Sequence, residues 1–229
     1  MARLLSHALL LLSLHLALPA FAQERIVPIE DEPKHVLKFQ NAHVRFFDVQ
    51  LPPGYEGLWH THLHDGVFVN IAAGPTRAQD LGGAAQTRPP RDAGETYFIN
   101  YTKKPKAHRV SNIGDTAYRV TDTEVHQACS TPWSVPSNGQ DGKSHSLILE
   151  NERVQVIRIL LSPGERVALR PGCAMLVAVT PGKVTFESQG PTKHVEMYAA
   201  AFKWRESMLP LTLLNQGSET FHAVDIVIK

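Results

Sequence analysis

The chain has 229 residues, 43% of them hydrophobic, enough to bury one large core or two small ones. Its formal net charge is +1, and no run of like charges interrupts it. It therefore carries no electrostatic footprint for nucleic acid or for an anionic membrane surface.

The first predicted element is a leader. Met1-Ala2-Arg3 precedes a Leu-rich stretch to Leu18, and Pro19-Ala20-Phe21-Ala22 stands before Gln23. A positive start, a short apolar run and an A-x-A end are the pattern of a signal peptide over residues 1–22, cleaved after Ala22. Ser6, His7, Ser13 and His15 break the run, which falls short of the ~20 apolar residues a membrane span needs. The mature chain is expected to be secreted or periplasmic, with no membrane span after cleavage. No Cys follows the cleavage site, so nothing marks a lipid anchor.

Beyond the leader, apolar and β-branched residues come in short runs between turn residues, without helical spacing. In chain order the pattern predicts strands near 43–51, 58–64, 67–72, 96–101, 107–112 and 117–125. After a gap it predicts 153–161, 166–169, 174–179, 183–187, 208–214 and 221–228. Between the two groups, residues 126–144 are rich in Ser, Thr, Pro, Gly, Asn and Asp and read as an ordered linker, with Trp133 expected to bury against one domain.

The two groups are copies. Residues 35–54 align without a gap with residues 145–164, with identities at His35/His145, Leu37/Leu147, Asn41/Asn151, Val44/Val154, Leu51/Leu161, Pro53/Pro163 and Gly54/Gly164. The expected organisation is an all-β chain with a first domain at 23–125 and a second at 145–229, each a sandwich or small barrel. The mature chain holds two cysteines, Cys129 and Cys173. In an exported protein such a pair is a candidate disulfide, and two unpaired thiols with Cys173 buried is the alternative.

The first copy contains Trp59-His60-Thr61-His62-Leu63-His64-Asp65. On a strand, alternate side chains share a face, so His60, His62 and His64 converge if the strand stays regular. Imidazole is a common ligand of zinc, iron, copper and nickel, and a third or fourth ligand has to come from elsewhere in the chain.

With Gly54 five residues before His60-x-His62, a closing Gly74, and Pro105-Lys-Ala-His108-Arg-Val-Ser-Asn112, the chain resembles the cupin superfamily. The likeness covers the mature chain as two copies and so resembles a bicupin, two tandem jelly-roll (double-stranded β-helix) barrels. The resemblance implies one divalent metal, iron, zinc, manganese, nickel or copper, on His60, His62 and His108. Three departures stand out: the motif's Glu is missing around His64-Asp65-Gly66-Val67, Gly57 is too close to His60 to be the motif's first Gly, and the Gly expected between Pro105 and His108 is absent. Two site models follow, three His with open positions, which is preferred, or His64 or Asp65 as a fourth ligand.

The second copy serves as a control. Carrying the offset onward pairs His60 with Arg170, His62 with Gly172 and His64 with Ala174, and matching Asn112 to Asn215 pairs His108 with Leu211. Every proposed ligand is lost there together, as expected of residues needed for metal rather than for folding, so the second barrel is expected to be degenerate: a cover or a homodimer contact. Arg170 is read as solvated. The expected function is a metal-dependent oxygenase acting on a small organic substrate, with a non-catalytic small-molecule binding or sensing module as the alternative. No catalytic residue is assigned, and Tyr97 and Tyr101 are left out of the site because alternation does not say which neighbour points inward.

Overall fold

The computed structural model describes residues 24–129, 144–207, 209 and 211–229. The predicted leader and most of the predicted linker, Trp133 included, lie outside the described residues. No α-helix occurs among the described residues, and none of their helices is long and apolar enough to cross a membrane.

The first half contains β1 (Ile26–Pro28), a 3-10 turn (Ile29–Asp31), β2 (His35–Gln40), β3 (Val44–Leu51), β4 (Trp59–His62), β5 (Asp65–Ala72), β6 (Thr76–Asp80), β7 (Gln86–Arg88), β8 (Thr96–Ile99), β9 (Lys106–Asn112) and β10 (Tyr118–Val125). They build two facing sheets, ordered β1-β4-β9-β6-β7 and β2-β3-β10-β5-β8. The second half contains β11 (His145–Glu150), β12 (Val154–Leu161), β13 (Arg166–Leu169), β14 (Gly172–Ala178), β15 (Gly182–Glu187), β16 (Lys193–Met197), β17 (Phe202–Ser207), β18 (Leu211–Asn215) and β19 (Phe221–Ile228). Its sheets run β11-β12-β19-β14-β17 and β13-β18-β15-β16. The chain is all-β, as its periodicity predicts.

The residues shared by the two copies are turn builders. Asn41 Oδ1 accepts from the amides of His43 and Val44, and Asn151 Oδ1 accepts from those of Arg153 and Val154. Gly54 and Gly164 take φ of +71° and +79°, the left-handed region that glycine enters without a Cβ penalty. Asn112 donates to the carbonyls of Leu51 and Thr116 and accepts from Gly114, and Asn215 does the same with Leu161, Glu219 and Gly217. These bonds set where each strand starts, which is why they persist in both copies.

Three apolar clusters fill the molecule. One lies inside the first barrel, around Phe47, Val49, Leu51, Phe68, Tyr118 and Val120. Another fills the second barrel, with Ile157, Ile159, Leu161, Leu176, Leu213 and Phe221. The third joins the barrels: Val44, Phe46, Val67, Val69 and Ile71 pack against Val156, Met175, Val177, Val224 and Ile226. On β3, β5, β12 and β14 both faces are therefore apolar, one turned into its own barrel and one to the other barrel. Cys129 and Cys173 form a disulfide across this junction, with Cα atoms 6.1 Å apart.

Candidate metal centre

β4 and β9 pair antiparallel with His60 directly opposite His108. Alternation along β4 places His60 and His62 on one face, each 1% exposed, and the cross-strand pairing adds His108 at 7%. The Nε2 atoms of His60 and His108 are 3.0 Å apart, and the ring of His62 lies 5.1 Å from that of His60 and 4.9 Å from that of His108. Two nitrogens each about 2.1 Å from one ion fall near such a spacing. A fourth imidazole joins from the facing sheet: the His35 ring on β2 is 4.5 Å from that of His60, and His35, His60 and His62 each offer a nitrogen within 4.8 Å of the others.

The outer nitrogens explain the orientation. His35 Nδ1 lies 2.7 Å from Glu32 Oε2, and His60 Nδ1 lies 2.9 Å from the Leu58 carbonyl. Ionised carboxylates and carbonyls only accept, so Nδ1 carries a proton in both rings, and in the neutral ring of His60 Nε2 keeps its lone pair. Glu32 is itself pinned by the Tyr55 hydroxyl and the Lys34 amide. Burial pushes its pKa up, but the bonds from His35 and Tyr55 outweigh that and hold it down at about 2. Burial, aided by His35, lowers His60 to about 4, and burial beside the other rings lowers His62 and His108 as well. These three rings are thus neutral at pH 7, the form that binds metal. The Nδ1 atoms of His62 and His108 are buried without a hydrogen-bond partner. The neutral imidazoles of His60, His62 and His108, gathered at one point, fit a divalent ion of the kind imidazole prefers.

Carboxylates approach only from behind. Counting from His62, the motif's Glu position falls on Gly66 or Val67, and the closing Gly74 selects Val67; at Gly66 a Cβ would come within 2.8 Å of Asp122 Oδ1. Asp122 reaches this place from β10, and its Oδ2 lies 3.7 Å from His62 Nδ1. Burial, reinforced by Glu124, raises its pKa, while Glu124 itself pairs with Arg45 at 2.9 Å. Asp65 is engaged elsewhere, accepting from the Thr102 amide and facing Arg153 at 3.4 Å.

The structure brings His60, His62 and His108 together and leaves His64 apart. β4 ends at His62, so the alternation expected through residue 64 stops, and the His64 ring stacks on His126 at 3.8 Å. Neither His35 nor Asp122 is among the ligands that the sequence predicts. His35 recurs as His145 in the second copy, and a repeated residue reads as structural. Asp122 lies in no motif, and nothing in its neighbourhood marks the side it faces.

A cavity of about 60 Å³ opens onto His35, His62 and His108, walled by Phe68, Tyr97 and Tyr118. Tyr101 also lines it, stacked on His62 at 4.6 Å, with a buried hydroxyl that has no partner.

The second barrel has no such group among the described residues. There β13 pairs with β18 through Leu169 and Leu211, so strand register sets His60 against Leu169, not against Arg170. Four residues separate Gly164 from Leu169 where five separate Gly54 from His60, and that one residue makes the difference. Both leucines belong to that barrel's apolar filling.

No protein-family model matches the chain, and no curated protein matches it in sequence. In structure it is similar to AerE from Microcystis aeruginosa, with a TM-score of 0.59 at 13% identity over 86% of this chain and 98% of that one. It is also similar to a cupin 2 conserved barrel domain protein from Leptotrichia buccalis, with 0.52 at 14% over 85% and 88%. A third likeness is to salicylate 1,2-dioxygenase from Pseudoaminobacter salicylatoxidans, solved as adducts with gentisate, with 0.55 at 10% over 81% and 68%. These likenesses define the class: the chain has the cupin fold twice over, as two tandem jelly-roll barrels. Of its two cupin-like barrels the first carries a buried imidazole cluster and the second is packed with apolar side chains.

Proposed function

We propose that this chain is an exported bicupin that holds one divalent metal in its first barrel, on His60, His62, His108 and His35, and acts as an oxygenase on a small organic substrate. The observation that carries this reading is the convergence of four imidazoles, two with Nδ1 tied outward, at the end of a cavity open to a ligand. Iron, copper, nickel, zinc and manganese are the candidate ions, with imidazole favouring the first four. When bound, such an ion supplies Lewis acidity and, if redox-active, electron transfer with dioxygen.

The chain's own residues do the rest. Phe68, Val120 and Ile99 keep water away from the cluster. Burial and the nearby Asp122 raise the Tyr101 pKa, so its hydroxyl stays protonated and donates to a substrate oxygen. Export is supported by the leader and by the Cys129–Cys173 disulfide, since such bonds persist in oxidising compartments.

The test is metal analysis of protein purified without a His tag, then oxygen uptake with iron(II) and a panel of thiols, phenolics and diketones. Uptake that His108→Ala abolishes supports the oxygenase. Tight metal binding and ligand-induced thermal stabilisation without turnover of any panel member overturns it in favour of a binding module.

A further inference from the structure

Building on the metal reading of the first barrel, we propose that its ligand is a small organic anion of a few heavy atoms, with a carboxylate held by Arg88 and a short apolar end lying against Phe68, Tyr97 and Ile99. Arg88 closes β7, is half-buried and lines the same cavity as His35, His62 and His108. Its guanidinium makes no hydrogen bond or ion pair among the described residues. Its neighbour on the cavity wall, Arg91, is committed to Glu95 and lies 4.6 Å over the Tyr97 ring. A guanidinium offers five donors in a fixed fork, and a carboxylate matches two of them at once.

Charge around the cavity points the same way. Its lining includes two arginines and three imidazoles but no Asp or Glu. Glu32 and Asp122, the nearest carboxylates, stand behind His35 and His62. A neutral donor set leaves the charge of a bound dication facing the cavity, where an anionic ligand completes it. Size limits the class: about 60 Å³ is less than half of the ~150 Å³ in which a benzene fits, so the ligand has only a few heavy atoms. Phe68 and Tyr97, stacked on each other 5.0 Å apart at 11°, form one apolar side of the cavity.

The probes are acetate and pyruvate, each against its uncharged amide, titrated calorimetrically into metal-free and zinc-loaded protein. Cobalt(II) absorption reports separately whether the imidazole cluster binds metal. The expected result is a carboxylate preference of about tenfold or more in the metal-free protein, erased there by Arg88→Gln with the cobalt(II) spectrum unchanged, and a larger preference in the zinc-loaded form. Equal binding of acid and amide, a preference in the metal-free protein that survives Arg88→Gln, or no carboxylate binding at about 10 mM overturns the proposal. Failure of the metal reading shows instead as a cobalt(II) spectrum indifferent to His60→Ala, and the metal-free titrations still decide the role of Arg88.

Discussion

What an imidazole can offer a metal depends on what its other nitrogen is doing. His35 and His60 have that nitrogen fixed by Glu32 and the Leu58 carbonyl, so both rings are oriented before any ion arrives. Such outer partners typically contribute 10–100-fold in metal affinity. Glu32→Gln is therefore expected to weaken metal binding by about that factor, measured by chelator competition, with circular dichroism confirming an unchanged fold. The neutral rings also set an acid limit. An unfolded chain takes up protons at His60 below about pH 6.5, whereas the folded site resists until about 4. The unfolded state thus binds more protons across that window, and stability of the metal-free protein falls as pH drops from about 6.5 to about 4. Urea midpoints across that range check it, and a midpoint that rises toward pH 4 contradicts the burial of these rings. At this scale three of the four clustered imidazoles were legible in the sequence. His35 was not, because its identity with His145 made it resemble a folding residue.

Turns and strands divide by the same logic. Asn112 and Asn215 each close a turn through three bonds in a buried setting, so they recur although the chemistry of the two barrels differs. Asn215→Ala leaves Leu161 O and its neighbours unmatched and is expected to cost roughly 1–3 kcal/mol in urea unfolding. Metal content should not change, because the turn lies in the barrel without the cluster. Each of the twelve strands with an apolar or β-branched run was legible. The strands β1, β2, β6, β7, β11, β16 and β17 were not. Several are exposed edges, such as β16, where only Met197 is buried, and their polar sequences carry little alternation. His64 illustrates the limit of periodicity: a strand pattern drawn two residues too far puts a side chain on the wrong face.

Across the whole molecule, the barrels are joined by a shared apolar core and by one covalent bond. Phe46 meets Phe202 at 4.6 Å within that junction, and the disulfide closes a sequence separation of 44 residues. Chain-entropy arguments give about 4 kcal/mol for a loop of that size. Cys129→Ser is expected to lower stability by up to that amount while both halves still melt in one calorimetric transition, because neither inner face of the junction is soluble alone. Two separate transitions in the variant contradict a common core. The sequence by itself determined the all-β class, the duplication, the loss of ligands from the second copy and three of the cluster's histidines. These follow from local spacing, turn chemistry and comparison of one half with the other. Only the tertiary structure decided that His35, rather than His64, joins the cluster, that Asp122 occupies the space beside Gly66, and that Arg88 faces the same cavity. Those residues sit on strands distant in sequence, and which of them meet is set by the folding of one sheet over another, a relation that no period along the chain records.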